Sequence, residues 1–175
     1  MNEQVSDCAE AVFVIVDKYG KVLLQMSCFT NFVRGFNEDK WWHLYSKSKT
    51  NISLLRLLYT VRYMRMASKN GGYIGRGTVF HGKPHFPHGL HGVHISRYAE
   101  IGKDVTIFQG VTIGQTGKGA PKIGDGVLVG ANATVLGPIS IGEYAKVGGG
   151  AVVVENIPSY ATVVSQKAKI IVRNK

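Results

Sequence analysis

Apolar residues return at every sixth position through most of the second half of the chain. From Ile74 the steps reach Phe80 and Phe86. After a gap of nine they resume at Ile95 and run through Ile101, Ile107 and Ile113. After a gap of ten they continue through Ile123, Val129, Val135, Ile141, Val147 and Val153. Glycine follows seven of these thirteen positions, and a small or apolar residue returns four places later, as at Thr78, Ala99, Val105, Val127, Ala133 and Ala151. A helical period of 3.6 cannot stay in register with a period of six over such a distance. The rhythm predicts short strands, each turning one aliphatic side chain inward, with the glycine opening a corner where other residues would be strained. Three sides of six residues close one turn of about 18. Parallel stacking at about 4.8 Å then gives a prism of a little over four turns, roughly 20–25 Å long.

Two gaps interrupt the rhythm, Pro87–His94 and Gln115–Lys122, and inserted residues are expected as loops outside the prism. Ahead of the repeats the pattern changes. Of 22 glycines only Gly20 and Gly35 precede Gly71, which puts a boundary near Asn70-Gly71-Gly72. Residues 1–72 are expected to form a mainly helical segment and residues 73–175 the prism with a basic C-terminal tail. Asn51–Ser68 reads as a helix capped by Asn51. At 100° per residue its arginines do not share one face, so packing within an oligomer is favoured over peripheral membrane contact. Trp41-Trp42-His43 reads as core or interface before sugar platform. The opening AVFVIV-DKYGK-VLLQ suggests a hairpin locally, although helix stays open there.

Composition narrows the function classes. The 175 residues are 45% apolar and carry a formal charge of +10. That excess is spread, with 10 basic against 6 acidic residues in 1–72 and 11 against 5 in 73–175. No polybasic arm results, and the charge suits a small polyanion or anionic lipid as well as nucleic acid, so no nucleic-acid partner is expected. The apolar run Ala11–Val16 is too short to span a membrane, and Glu3, Asp7 and Glu10 precede it where a secretory signal needs positive charge. Cys8 and Cys28 offer neither a disulfide framework nor metal spacing. A reducing, cytoplasmic location is the expectation.

With the stretch Ile123-Gly124-Asp125-Gly126-Val127-Leu128-Val129-Gly130 as a typical repeat, residues 72–175 resemble the hexapeptide acyltransferases built on a left-handed parallel β-helix. Ile101–Gly126 (IGKDVTIFQGVTIGQTGKGAPKIGDG) resembles their serine acetyltransferase branch, and within it the bacterial capsular and exopolysaccharide O-acetyltransferases such as the colanic acid acetyltransferases. The resemblance implies a homotrimer with active sites in grooves between prisms. It also implies acetyl-CoA as co-substrate, no metal, and a catalytic histidine two residues past an inward apolar residue. Phe86-Pro87-His88 places that role on His88. One residue more separates Phe86 from Ile95 than in the serine enzymes.

His85, His88, His91 and His94 recur at spacing three. Imidazole, with an ordinary pKa near 6.5, can take a proton from a hydroxyl at neutral pH. His88 is the favoured base, His91 and His85 are alternatives, and His85, His91 and His94 are candidates for lining the acceptor pocket. In extended chain, residues three apart face opposite sides, which argues against one metal site. The serine enzymes carry an Asp fifteen residues before the base, where this chain has Tyr73. Glu100, Asp104 or a main-chain carbonyl remain as substitutes. By position, Gly114, Gln115, Thr116, Gly117, Lys118, Ala131, Lys146 and Gly149 would line the coenzyme groove, and Lys167, Lys169, Arg173 and Lys175 could meet its 3′-phosphate.

The acceptor reading follows from departures. Gly119-Ala120 stands before Pro121-Lys122-Ile123 where the serine enzymes have an Arg-His pair for the substrate carboxylate. The loop is also four residues shorter, and 70 residues are too few for those enzymes' helical domain. These features favour a saccharide hydroxyl. Serine O-acetylation in cysteine synthesis is the alternative, and a non-catalytic or metal-dependent hexapeptide protein is the second.

Overall fold

The computed structural model describes residues 14–16, 22–24, 36–166 and 171. Two short strands, β1 (Val14–Val16) and β2 (Val22–Leu24), pair antiparallel with Val14 opposite Leu24. The hairpin reading of the chain's start therefore holds at these positions. Two helices follow, α1 (Glu38–Lys47) and α2 (Ser53–Lys69). The helix α1 falls within the segment expected to be mainly helical, at a place where the sequence singled out only Trp41-Trp42-His43. Its start is chemically marked, because Asn37 Oδ1 accepts the Lys40 amide at 2.7 Å and Glu38 and Asp39 fill the positive first turn. The helix α2 begins after Ile52 with no side-chain cap, so Asn51 lies outside and does not cap it. It turns Thr60, Tyr63 and Ala67 inward and leaves Leu54, Leu57 and Leu58 exposed.

The remainder is a left-handed coil with three flat faces. The first face stacks β3 (Tyr73–Ile74), β5 (His94–Ile95), β8 (Thr112–Gly114), β11 (Thr134–Leu136) and β14 (Val152–Val153). The second stacks β4 (Val79–Phe80), β6 (Glu100–Ile101), β9 (Lys122–Ile123) and β12 (Ser140–Ile141). The third stacks β7 (Thr106–Ile107), β10 (Leu128–Val129), β13 (Lys146–Val147) and β15 (Thr162–Val163), and His85 extends it by a parallel bridge to Thr106. Pairing within every face is parallel and in register, so Ile95 lies on Ile113 and Val129 on Ile107. All thirteen predicted inward positions are buried, none above 8% exposed. The core is thus one column of large apolar side chains per face, with smaller buried residues such as Ala99, Val105 and Ala133 between them.

Three details differ from expectation. The glycines that follow seven of the inward residues are not there for an unusual dihedral angle. A Cβ on Gly102 would lie 2.7 Å from the Gly124 carbonyl carbon, and one on Gly124 would lie 2.8 Å from the Glu143 amide nitrogen. At these glycines the adjacent coil approaches too closely for a side chain. The left-handed residues come two places further on, at Gly110, Asn132 and Gly150 on one corner and at Asp104, Gly126, Tyr144 and Tyr160 on another. Second, a shortened further coil follows Val153: Ile157 bridges Ile141, and Val163 pairs with Val147. Its spacings of four and six broke the rhythm and hid it. Third, the first interruption is not outside the prism, since Leu90 and Val93 within it are fully buried.

The helices close the prism's lower end. Trp41, fully buried, stacks on Tyr45 and meets Phe80 and Phe86 edge-on with centroids 5.6 and 5.7 Å away. This explains why the first coil turns phenylalanine inward where later coils use Ile or Val. Tyr63 joins the cluster, and burial, with Tyr45 beside it, pushes its hydroxyl pKa up to about 12. No helix among the described residues is long and apolar enough to cross a membrane.

Candidate active site

His88 stands at the corner where the third face passes into the first. Its loop is a run of turns fixed by backbone bonds: Gly89 donates to the Phe86 carbonyl at 3.0 Å, Val93 to Leu90 at 3.1 Å and Gly92 to Gly71 at 3.1 Å. Gly89 and Gly92 both take positive φ near 67°, which lets the chain double back. Because the loop curls, His88 and His91 do not face opposite sides as an extended chain would require. Together with Pro87 and Gln109 they line a cleft of about 310 Å³. The His88 ring is exposed and lies 5.6 Å from the ring of Phe108.

The other histidines lie elsewhere. Nδ1 of His85 sits 3.4 Å from Glu38 Oε2, and its backbone belongs to the third face. Nδ1 of His94 lies 2.9 Å from the Gly92 carbonyl, so this nitrogen carries a proton. His81 Nε2 pairs with Glu100 Oε1 at 2.9 Å. Neither His85 nor His94 lines the cleft. Among the described residues, no group of three or more His, Cys, Asp or Glu is arranged to hold a metal ion.

The substitutes considered for the missing Asp are also placed. Glu100 is held by Lys122 Nζ at 3.0 Å and by His81. The Lys122 hydrogen bond and then that of His81 keep its carboxyl below the usual carboxylate range. Asp104 occupies a left-handed turn on a different corner. Neither lines the cleft, and Tyr73 pairs with His94 on the first face.

Sequence reading missed Gln109. Its Oε1 is buried without a hydrogen-bond partner among the described residues, and it lines the cleft with His88. A signal for it existed. His88 is two residues past the inward Phe86, and Gln109 is two past Ile107. Ala131 and Gly149 follow Val129 and Val147 in the same way. At this corner the Gly110, Asn132 and Gly150 amides donate to the His91, Gln109 and Ala131 carbonyls at 2.8, 2.9 and 2.8 Å. His91, Gln109, Ala131 and Gly149 therefore form one column, a coil's rise apart, and His88 stands in the inserted turn beside its foot. Side-chain size falls along the column from imidazole to carboxamide, methyl and hydrogen. Lys146 lies on the neighbouring outer surface of β13, exposed.

The second interruption stands at the other edge of the first face. Gln115, Thr116, Gly117 and Lys118 are exposed, and the Thr116 and Gly119 amides bond each other's carbonyls at 2.8 and 3.0 Å. Gln115 Oε1 accepts the Ser96 hydroxyl at 2.8 Å, and the Gly114 carbonyl accepts the Gly137 amide at 3.1 Å. The loop therefore has a defined base and an open tip. Of the tail residues, Lys167, Lys169, Arg173 and Lys175 lie outside the described residues.

The repeat model of the bacterial transferase hexapeptide matches residues 120–154. A serine acetyltransferase of Helicobacter pylori is 44% identical over 109 residues, 60% of either chain. The serine acetyltransferase of Neisseria gonorrhoeae, solved in complex with serine, is 30% identical with a TM-score of 0.65, over 97% of this chain and 70% of that one. A serine acetyltransferase solved in complex with CoA is 28% identical with a TM-score of 0.63, over 97% of this chain and 71% of that one. A parallel β-helix with this repeat and this corner column defines the class, and the chain belongs to the hexapeptide-repeat transferases. It spans between 33% and 62% of the length of the curated relatives it matches.

Proposed function

We propose that the protein is an acetyl-CoA-dependent O-acetyltransferase in which His88 is the general base. The observation that supports this reading is the cleft that His88 shares with the foot of the corner column, where His91 is followed by Gln109, Ala131 and Gly149 as a shelf of decreasing side chains. An extended pantetheine arm can lie on such a shelf against main chain. His88 takes the proton of an acceptor hydroxyl, and the freed oxygen attacks the thioester carbonyl. Backbone N–H groups hold the oxyanion until it collapses and expels the coenzyme thiolate, to which the imidazolium returns its proton. No acyl-enzyme is needed.

The Gly114–Lys118 loop covers the coenzyme, with Lys118 and Lys146 toward its phosphates. Because this loop and His88 stand at opposite edges of the first face, one prism does not join them. A homotrimer, with grooves between copies, does. The exposed leucines of α2 fit packing within such an assembly better than membrane contact.

For the acceptor, the named relatives support L-serine over the saccharide that the sequence favoured, and L-serine is the reading adopted. A saccharide hydroxyl stays as the second reading on a specific observation: among the described residues no arginine and no carboxylate lines the cleft. Thiol release from acetyl-CoA, measured with L-serine and with a panel of free and nucleotide-linked sugars, decides between them. Turnover with serine at a kcat/KM at least tenfold above every sugar establishes the first reading. The reverse ratio establishes the second, and no thiol release with any acceptor overturns the activity.

A further inference from the structure

We propose that Glu38, seconded by Phe36, is a positioning residue that fixes His88 from the helical segment. The inference rests on the reading of His88 as base. In a stacked coil, the N–H of each inward residue points to the coil below, as Ile107 donates to the His85 carbonyl at 2.9 Å. The first coil has no coil below it, so its inward amides need other acceptors. Side chains of α1 supply two. The Tyr45 hydroxyl accepts the Phe80 amide at 3.1 Å, and Glu38 Oε2 accepts the Phe86 amide at 2.9 Å.

These two closures differ in what lies beside them. Phe80 leads only into the exposed turn at His81–Gly82, whereas Phe86 stands two residues before His88. The Glu38 carboxylate is 14% exposed and is itself held, with Lys83 Nζ at 3.5 Å and His85 Nδ1 at 3.4 Å. Lys83 also bonds Asp39. On the far side of His88, the buried Phe36 lies against Gly89, where an added Cβ would come within 3.2 Å of Phe36 Cβ. Phe36 also meets Phe86 edge-on at 6.2 Å. The residues that flank His88, Phe86 and Gly89, are thus both gripped by one three-residue stretch, Phe36–Glu38. A base displaced by about 1 Å can lose about 10²-fold in rate, so this grip bears on turnover as well as on stability.

The test compares Glu38→Ala, Glu38→Gln and Tyr45→Phe in the full chain. Gln keeps an oxygen that can accept the Phe86 amide; Ala keeps none. Tyr45→Phe removes the equivalent closure away from the site and serves as the stability control. Glu38→Ala is expected to lower kcat about tenfold or more while KM for acetyl-CoA stays within about twofold. Glu38→Gln should stay within about threefold of wild type. Tyr45→Phe should lower the melting temperature with kcat unchanged.

A second readout does not need turnover. The His88 ring Cε1–H resonance should move in Glu38→Ala and stay in place in Tyr45→Phe. An unmoved resonance in Glu38→Ala overturns the proposal even where wild type shows no transferase activity. Equal losses of kcat in Glu38→Ala and Tyr45→Phe also overturn it, by reducing Glu38 to an end closure.

Discussion

The two interruptions of the repeat have the same origin in sequence and opposite fates in structure. Pro87–His94 folds back into the prism, burying Leu90 and Val93 completely and bonding to Gly71 below and Gly110 above. Gln115–Lys122 stands in solvent from Gln115 to Lys118 and is tied mainly at its base. The first has Leu90 and Val93 where the turn carries them inward; the second, QTGKGAPK, buries only Pro121, where it rejoins the prism. An insertion therefore ends buried or exposed according to what the coil can absorb from it. A base must hold one geometry through the reaction, whereas a loop over a long flexible ligand must let it in and out.

The sharpest test of this contrast is His88→Ala. It should reduce the rate by about 10²–10⁴-fold, with an unchanged far-ultraviolet spectrum. Retention of more than a tenth of the rate removes His88 from its role. Next comes Leu90→Ala, which should cost about 2–5 kcal/mol of stability by denaturant unfolding, because a fully buried leucine leaves a cavity. The same substitution at Lys118 should stay within about 0.5 kcal/mol. If the two costs match, the loops are not different in kind.

A smaller effect is expected on binding. Lys118→Ala should raise KM for acetyl-CoA a few-fold, about the worth of one exposed phosphate contact, and leave kcat within about twofold. A fall in kcat without a change in KM would assign the second loop to chemistry instead. The smallest effect concerns the point where that loop rejoins the prism, at the in-register pair Glu100 and Lys122. Because the folded state depresses the Glu100 pKa, the stabilisation is present above the usual carboxylate range and fades as pH falls through the lowered value. The small gap in melting temperature between wild type and Lys122→Ala should therefore exist at pH 7 and close on acidification. A gap that widens on acidification contradicts the sign.

Much of this was legible in the chain. The inward ladder from Ile74 to Val153 could be read residue by residue, since a period of six has one physical solution and the register follows from it. His88 could be placed beside an inward phenylalanine. Other features depended on contacts across long separations. Helix α1 carries its signal in Asn37, Glu38 and Lys47, but nothing local says that Trp41 will meet Phe80 and Phe86. The last coil is shortened, and its spacing shows only once Val163 lies on Val147. Gln109 differs from other polar corner residues only by standing one coil above His91, in the cleft that His88 lines.

By itself the sequence determined the repeat, the three faces, the corner that carries His88 and the two places where the coil is interrupted. Each of these follows from side-chain periodicity and steric volume, which act between neighbours or between equivalent positions of adjacent coils. Tertiary structure alone decided that one interruption is buried, that the glycines serve close coil approach, and that Phe36, Glu38 and Tyr45 close the first coil. Those outcomes depend on which unpaired amide meets which distant acceptor, and that meeting exists only when the whole chain is folded.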